Sequence, residues 1–342
     1  MILGSRLRLG LFLGLLSIAS EPAQSHAGNV TWKGTTGTWT DAGNWDNGVP
    51  MAADSALINN GGTAQISTGT ITAQSLSLGV TKTGFVQQTG GTFTVDTLSM
   101  AGGAGTTAGY SLTDGTLNAT TSIFIGGNPT TPGGIGTFTA VGGSVNTGFL
   151  SVFGNAVWTQ FRLATLTTAQ VLLQAGGSFL GAGTIGAPDG KSLVFNNRSG
   201  LVSIRNGDLN IGGDYVQGAS GTLNIDFQTI NDKLVFNALN VTGQASLLGT
   251  LKTTGLSASD VKLGSSFELI TATGGVGNTQ FGTLTLPTLN DGLKWSVNYN
   301  AKDVTLSVVP EPSTRTLGTL GLVGLAILSG CKQRMRVAAV RD

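Results

Sequence analysis

Residues 90–100 read Gly-Gly-Thr-Phe-Thr-Val-Asp-Thr-Leu-Ser-Met, and this segment gives the strongest indication of the fold. Apolar and polar residues alternate along it, which is the pattern of a β-strand with one buried face and one solvated face. The alternation predicts that Phe93, Val95 and Leu98 face inward, whereas Asp96 and the three threonines face water. The two glycines before the strand permit the positive φ values that a tight turn needs.

Similar units precede and follow this stretch. Each reads as a strand, a Gly-Gly or Asp-Gly turn, a second strand, and a short third strand that ends in glycine. Aligned on their turn glycines, the units place the second turn residue at Gly62, Gly91, Gly115 and Gly143, with spacings of 29, 24 and 28 residues. A fifth copy is expected to end at Gly176-Gly177. Periods of this size, with alternation inside each strand, predict a parallel β-helix, or β-solenoid. Aliphatic residues of the later copies are expected to stack inside it in continuous rows: Leu117, Ile123, Ile125, Val145, Leu150 and Val152.

The composition excludes several classes of function. Glycine accounts for 54 of 342 residues, apolar residues for 40% and charged residues for 10%, which suits short strands joined by tight turns. Between residues 28 and 309 there are eleven Lys/Arg and fourteen Asp/Glu, a net charge of −3, and no basic stripe that would bind nucleic acid. The only histidine, His26, and the only cysteine, Cys331, lie at the two ends of the chain. The body therefore lacks the residues of His-dependent nucleophilic catalysis and of Cys/His zinc sites, and we expect no cofactor.

The C-terminal 33 residues have the layout of a sorting signal. Val309, Pro310, Glu311, Pro312 and Ser313 are followed by an apolar run at 317–330 and a basic tail at 332–341, whose cations are Lys332, Arg334, Arg336 and Arg341. This order resembles the PEP-CTERM signal, which implies processing by an exosortase-type membrane enzyme. A helix over the apolar run would span about 21 Å of a hydrocarbon core of about 30 Å, which suits a transient anchor. An ordinary tail anchor that contains a chance Pro-Glu-Pro is the alternative. Cys331 follows Leu-Ser-Gly as in a lipobox, although that signal belongs at an N-terminus.

The N-terminus reads as a secretory signal peptide over residues 1–27. Arg6 and Arg8 precede an apolar run at 9–19, and Ser25 and Ala27 form a small-x-small cleavage site. The mature chain is then expected to begin at Gly28. A single N-terminal membrane helix is the competing interpretation. Export followed by C-terminal sorting places the mature protein at the cell surface or in the extracellular matrix, after passage through the general secretion machinery.

Residues 28–60 carry three of the five tryptophans, Trp32, Trp39 and Trp45. This segment resembles the opening of autotransporter-like exported β-helix proteins. One interpretation is an N-terminal cap over the exposed edge of the first coil. The other is a glycan contact, because aromatic faces stack on sugars. Asp41, Asp46 and Asp54 fit no calcium-loop spacing, so no metal site is expected.

The remaining body divides into repeats at 61–200 and a C-terminal β region at 201–309, with the sorting signal at 310–342. The C-terminal region resembles autotransporter passenger domains. Its segments at 264–272, 293–299 and 304–308 predict an antiparallel C-terminal cap, because polar residues alternate along them. The predicted fold is thus all-β: a parallel β-helix between two caps, flanked by a signal peptide and a C-terminal transmembrane sorting helix.

Two functions follow from these features. The first is a noncatalytic structural or adhesin-like protein, without catalytic residues, whose Thr, Ser, Asn and Gln side chains hydrogen-bond exopolysaccharide. The second is a secreted polysaccharide hydrolase or lyase, because β-helices also carry such enzymes. Because the body contains no histidine or cysteine, pairs of carboxylates are the remaining candidate catalytic groups: Asp208 with Asp214, or Asp226 with Asp232.

Overall fold

The computed structural model describes residues 28–128, 131–189 and 192–311. This part of the chain is all-β and contains two single-turn 3-10 helices, Ala42–Asn44 and Ala258–Asp260. Within it, no helix is long and apolar enough to cross a membrane. The predicted signal peptide and sorting helix lie outside the described residues.

The first strands run to the middle of the chain: β1 (Asn29–Thr31), β2 (Thr36–Thr38), β3 (Ser55–Ile58), β4 (Thr63–Ile66), β5 (Thr70–Thr72), β6 (Ser75–Leu78), β7 (Gly84–Gln88), β8 (Thr92–Met100), β9 (Thr107–Leu112), β10 (Thr116–Ile125), β11 (Gly127–Asn128), β12 (Thr131–Pro132), β13 (Ile135–Ala140), β14 (Ser144–Val152) and β15 (Val157–Gln160). The others follow: β16 (Thr165–Leu173), β17 (Ser178–Gly186), β18 (Val194–Asn197), β19 (Leu201–Ile211), β20 (Asp214–Gln217), β21 (Thr222–Ile230), β22 (Lys233–Phe236), β23 (Leu239–Val241), β24 (Ala245–Ser246), β25 (Thr250–Thr254), β26 (Ser266–Ala272), β27 (Thr283–Thr285), β28 (Leu293–Tyr299) and β29 (Asp303–Pro310).

The strands form a parallel β-solenoid of about nine turns, as the repeats predicted. Its three faces are stacks of parallel strands. Face 1 contains β1, β3, β6, 97–100 of β8, 122–125 of β10, 149–152 of β14, 170–173 of β16, β18, β20 and β24. Face 2 contains β2, β4, β7, β9, β13, β15, 178–181 of β17, 201–204 of β19, β21, β25 and β27. Face 3 contains β5, 92–95 of β8, 116–119 of β10, 144–147 of β14, 165–167 of β16, 184–186 of β17, 209–211 of β19, β23 and 270–272 of β26.

The core is the inside of this solenoid. Phe93, Val95 and Leu98 are buried, which confirms the inward positions predicted from the alternation. The predicted aliphatic rows are confirmed as well, because Leu117 pairs with Phe93 on one side and Val145 on the other, and all are fully buried. Adjacent parallel strands lie about 4.8 Å apart, so each coil buries its apolar side chains against its neighbours rather than alone.

The alignment of the repeats on their glycine pairs was wrong in part. Gly69, rather than Gly62, occupies the corner that Gly91 occupies one coil later, because the Thr92 amide donates to the Gly69 carbonyl at 2.8 Å. Gly62 lies at the corner between β3 and β4. The paired residues Thr70, Thr92, Thr116 and Ser144 are therefore 22, 24 and 28 residues apart. One positive φ is enough for this corner, and the single glycine of Ser67-Thr68-Gly69 supplies it with φ of 79°.

The expected fifth copy was also assigned to the wrong corner. Gly176-Gly177 lies between β16 and β17, where the chain passes from face 1 to face 2. The fifth corner between faces 2 and 3 is formed by residues 161–164, which contain no glycine. Parallel pairing also continues across residue 200, where β17 pairs with β19 and β19 pairs with β21.

The C-terminal end of the solenoid is covered by antiparallel strands, as predicted. β26 pairs with β29, and β29 pairs with β28, both antiparallel. Residues 270–272 of β26 also pair in parallel with β23, so the cap grows directly out of the last coil of face 3. At the other end, β1 and β2 pair in parallel with β3 and β4, so the Trp-rich segment contains the first strands of the solenoid.

Candidate functional site

The described structure reaches the edges of both predicted processing sites. Gly28 is the first described residue, and Glu311 is the last. Val309 and Pro310 end β29, and the Glu311 amide donates to the Gly292 carbonyl at 2.8 Å. The predicted motif therefore begins in the final strand of the cap. The remaining predicted processing residues lie outside the described residues: Ser25, Ala27, Pro312, Ser313, Lys332, Arg334, Arg336 and Arg341.

The three N-terminal tryptophans form a buried aromatic cluster. Trp32, Trp39 and Trp45 expose 1%, 0% and 1% of their surfaces. The rings of Trp32 and Trp39 lie 4.9 and 4.7 Å from that of Trp45, whose indole N–H donates to the Trp39 carbonyl at 2.7 Å. Trp39 also packs against Phe93 in the core. Stacking on a sugar requires an exposed ring face, which none of the three offers in this structure; they instead cover the end of the core.

The predicted catalytic carboxylates have structural partners. Asp208 accepts from the Ala238 amide and Asp214 from the Gln244 amide, both at 2.8 Å, and each bond ties one coil to the next. A carboxylate at a turn is favoured by such backbone bonds. These two aspartates lie on either side of the face 3 segment of β19, so that segment and a corner separate them.

The second pair is separated in a similar way. Asp226 accepts from the Thr254 hydroxyl at 2.9 Å and from the Gln228 amide at 3.0 Å. Asp232 lies in the turn at the tip of the hairpin formed by β21 and β22, with φ of 59°. Among the described residues, neither pair is joined by a hydrogen bond to a shared group.

The outer surface of face 3 carries an unbroken row of hydroxyl and amide side chains. Each member pairs in register with the next, and all are exposed or half-buried. We call this row the hydroxyl ladder: Thr70, Thr92, Thr116, Ser144, Thr165, Thr184, Asn210, Asn240 and Thr271. At about 4.8 Å per strand, its nine positions extend over about 38 Å.

Hydrogen bonds between coils hold these side chains in place. Asn240 donates to Asn210 at 3.0 Å and accepts from Thr271 at 2.8 Å within the ladder. A second row lies beside the ladder, two residues further along each strand, and its side chains also bond between coils. Asn118 donates to Thr94 at 3.3 Å, and Asn146 donates to Asn118 at 2.9 Å. Ordered polar side chains lose less conformational entropy on binding than free ones, which favours their use as a recognition surface.

A cleft of about 640 Å³ opens beside the ladder. One wall is the hairpin of β21 and β22, which leaves the solenoid after residue 226. The floor is formed by the corners of the preceding coils and includes the ladder residues Thr184 and Asn210. The full lining is Arg162, Gly183, Thr184, Asn206, Gly207, Asp208, Asn210, Gln228, Ile230, Val235, Phe236 and Asn237.

Sequence reasoning missed the cleft, although a signal for its wall was present. Asn231-Asp232 lies between the runs Phe-Gln-Thr-Ile and Lys-Leu-Val-Phe. Both residues have positive φ, 50° and 59°, which is the two-residue turn of a type I′ hairpin. Asn and Asp adopt this conformation more readily than other residues with side chains. The turn could therefore have predicted a hairpin at this point, but not the coil it would face.

The described residues include no histidine or cysteine, and they contain no group of acidic side chains that could hold a metal ion. No family model matches the chain, and no curated protein matches it either.

Proposed function

We propose that this chain is a noncatalytic exported structural or adhesin-like protein that binds hydrated exopolysaccharide through the hydroxyl ladder. The observation that carries the proposal is the ladder itself: nine successive paired positions of face 3 present only Thr, Ser or Asn to solvent. Sugars offer hydroxyl groups that both donate and accept, and these three residue types match them.

Repetition compensates for weak individual contacts. A neutral hydrogen bond exchanged for one with water contributes only about 0.5–1.5 kcal/mol. Several such bonds along one polymer act together, because binding at one position raises the effective concentration of the polymer at the next. A rigid row over about 38 Å is therefore suited to long glycans rather than to small sugars. Export and a PEP-CTERM-like tail would bring this surface to the extracellular polysaccharide.

The test removes hydroxyl groups from the ladder without changing its shape. The full-length chain is compared with the triple variant Thr92→Val, Thr116→Val, Thr165→Val in binding to immobilised exopolysaccharide extracted from the producing cells. Valine keeps the volume and β propensity of threonine. Loss of three bonds at about 0.5 kcal/mol each predicts about tenfold weaker binding.

The matched control carries the same changes on face 2: Thr137→Val, Thr139→Val and Thr159→Val, which are also exposed or half-buried. It should bind as the unmodified chain does. Equal binding by the two triple variants, or no binding by the unmodified chain, would contradict the proposal. Thermal unfolding of both variants verifies that the solenoid is intact.

A further inference from the structure

The cleft beside the hairpin is held open by hydrogen bonds at the base of the hairpin. The Asn237 side chain donates to the Asp226 carbonyl and accepts from the Gly207 amide, each at 2.8 Å. The next residue, Ala238, donates its amide to Asp208 at 2.8 Å. The first of these bonds closes the base of the hairpin, and the other two tie the hairpin to β19 on the floor, so a ligand finds the cleft already formed. Preformed clefts of a few hundred Å³ are the usual small-molecule sites of proteins.

The two sides of the cleft differ in polarity. Ile230 and Val235 expose 50% and 39% of their surfaces on the hairpin side. The floor and its margins present amides and one carboxylate from Asn206, Asp208 and Asn210. A pyranose ring has the same division, with C–H groups on its faces and hydroxyl groups around its edge. The cleft therefore suits a sugar ring that lies with one face on the hairpin.

Arg162 adds a positive charge to the cleft. Its side chain crosses Gly207 so closely that a Cβ at that position would lie 2.8 Å from the Arg162 Cδ. Gly207 also has a φ of 133°, so a side chain is disfavoured there twice over. Among the described residues, the Arg162 guanidinium makes no ion pair and no hydrogen bond. One oxygen of the neighbouring Asp208 is already held by Ala238. A guanidinium that is free in a cleft is suited to bidentate binding of a carboxylate.

We propose that this cleft is a subsite for a carboxylated sugar, a uronate-type residue whose carboxylate binds Arg162 and whose ring packs against Ile230 and Val235. The inference rests on the proposed function in taking a glycan as the ligand. Thr184 and Asn210 belong to both the ladder and the cleft floor, so a polymer on the ladder passes directly over the cleft. The ladder then supplies general affinity for glycans, and the cleft supplies selectivity for acidic ones.

The experiment measures binding of two probes to the full-length chain by titration calorimetry: a galacturonate hexamer and a neutral glucose hexamer. Arg162→Gln removes the charge and keeps an amide donor. Arg198→Gln is the matched control, because Arg198 is also exposed at a corner and makes no ion pair with any described residue, but does not line the cleft. Loss of one charge-assisted bidentate contact predicts about tenfold weaker binding of the galacturonate hexamer by Arg162→Gln. The control, and both variants with the glucose hexamer, should bind as the unmodified chain does.

Equal galacturonate binding by the two arginine variants, or equal affinity of the unmodified chain for the two hexamers, would overturn the subsite. The triple ladder variant separates this failure from failure of the proposed function. If that variant loses the glucose hexamer while Arg162→Gln changes nothing, the ladder binds glycans and the cleft does not. If Arg162→Gln weakens binding of the galacturonate hexamer and the triple ladder variant binds both hexamers normally, the cleft binds an acidic sugar and the ladder is not a glycan surface.

Discussion

Replacing Gln217 by leucine should destabilise the solenoid far more than a glutamine on its surface would. Gln217 exposes 1% of its surface and lies inside the corner between faces 1 and 2. Its amide nitrogen donates to the carbonyls of Gly221, Leu248 and Thr250 at 3.2, 2.8 and 3.1 Å, so that one side chain joins two coils. Its oxygen accepts from the buried Tyr215 hydroxyl at 2.7 Å.

The size of the effect follows from the partners left behind. In Gln217→Leu, the Tyr215 hydroxyl and the Leu248 carbonyl lose bonds inside the protein, whereas the Gly221 carbonyl still accepts from the Thr250 amide. At about 1–3 kcal/mol per buried unsatisfied group, the loss should be about 3–4 kcal/mol. Tyr215→Phe alone should cost about 1 kcal/mol. The double variant should cost less than the sum by about 1–2 kcal/mol, because phenylalanine leaves no hydroxyl to be orphaned.

Urea unfolding followed by tryptophan fluorescence gives these free energies by linear extrapolation. Gln65→Leu is the matched control, since Gln65 is exposed on face 2 and its side chain, among the described residues, bonds only to Gln87, at 3.3 Å. It should change the free energy of unfolding by less than about 0.5 kcal/mol. Gln217→Leu should not cost as little as the control, and its effect should not simply add to that of Tyr215→Phe; either result would show that the prediction is wrong.

Two further predictions concern pH and processing. Burial raises the pKa of Tyr110 and Tyr215 above the ordinary value of 10.0, so the folded chain keeps protons that the unfolded chain releases. These two groups should therefore leave the free energy of unfolding unchanged below pH 10 and lower it as the pH rises further. The double variant Tyr110→Phe, Tyr215→Phe should lose less stability over that range. Urea unfolding at pH values from about 9 to about 11 measures the difference. A pH dependence that is the same in the double variant would contradict it. If the tail is removed at the PEP-CTERM-like motif, intact-mass analysis of the exported protein should find a C-terminus near Pro310; recovery of Asp342 on the surface form would mean a permanent anchor instead.

The alternation of residues was sufficient to predict which side chains form the core. Phe93, Val95 and Leu98 were assigned inward positions from local pattern alone, and each is buried. For Phe93 and Val95 this succeeded because successive side chains of a strand point to opposite sides whatever the strand pairs with. Leu98 is one residue out of that alternation, because β8 leaves face 3 after Val95 and enters face 1 at Thr97. It was harder to predict which corner of the solenoid each turn glycine occupies. Gly62 and Gly69 are both in turns of the same coil, and local sequence does not tell which of the two corners precedes a given strand.

For the candidate site, too, some features could be predicted from local sequence and others could not. Composition alone was sufficient to predict that the body is rich in Thr, Ser and Asn, and that it contains no histidine or cysteine. Composition could not predict that Thr92, Thr116 and Ser144 lie in one row. They come into register because coils of unequal length pair through hydrogen bonds between residues more than twenty positions apart. Nor could local sequence predict that Arg162 lines the same cleft as a hairpin some seventy residues later in the chain, with several strands between them. Side-chain direction is a property of the local backbone, whereas stacking register is a property of the whole solenoid.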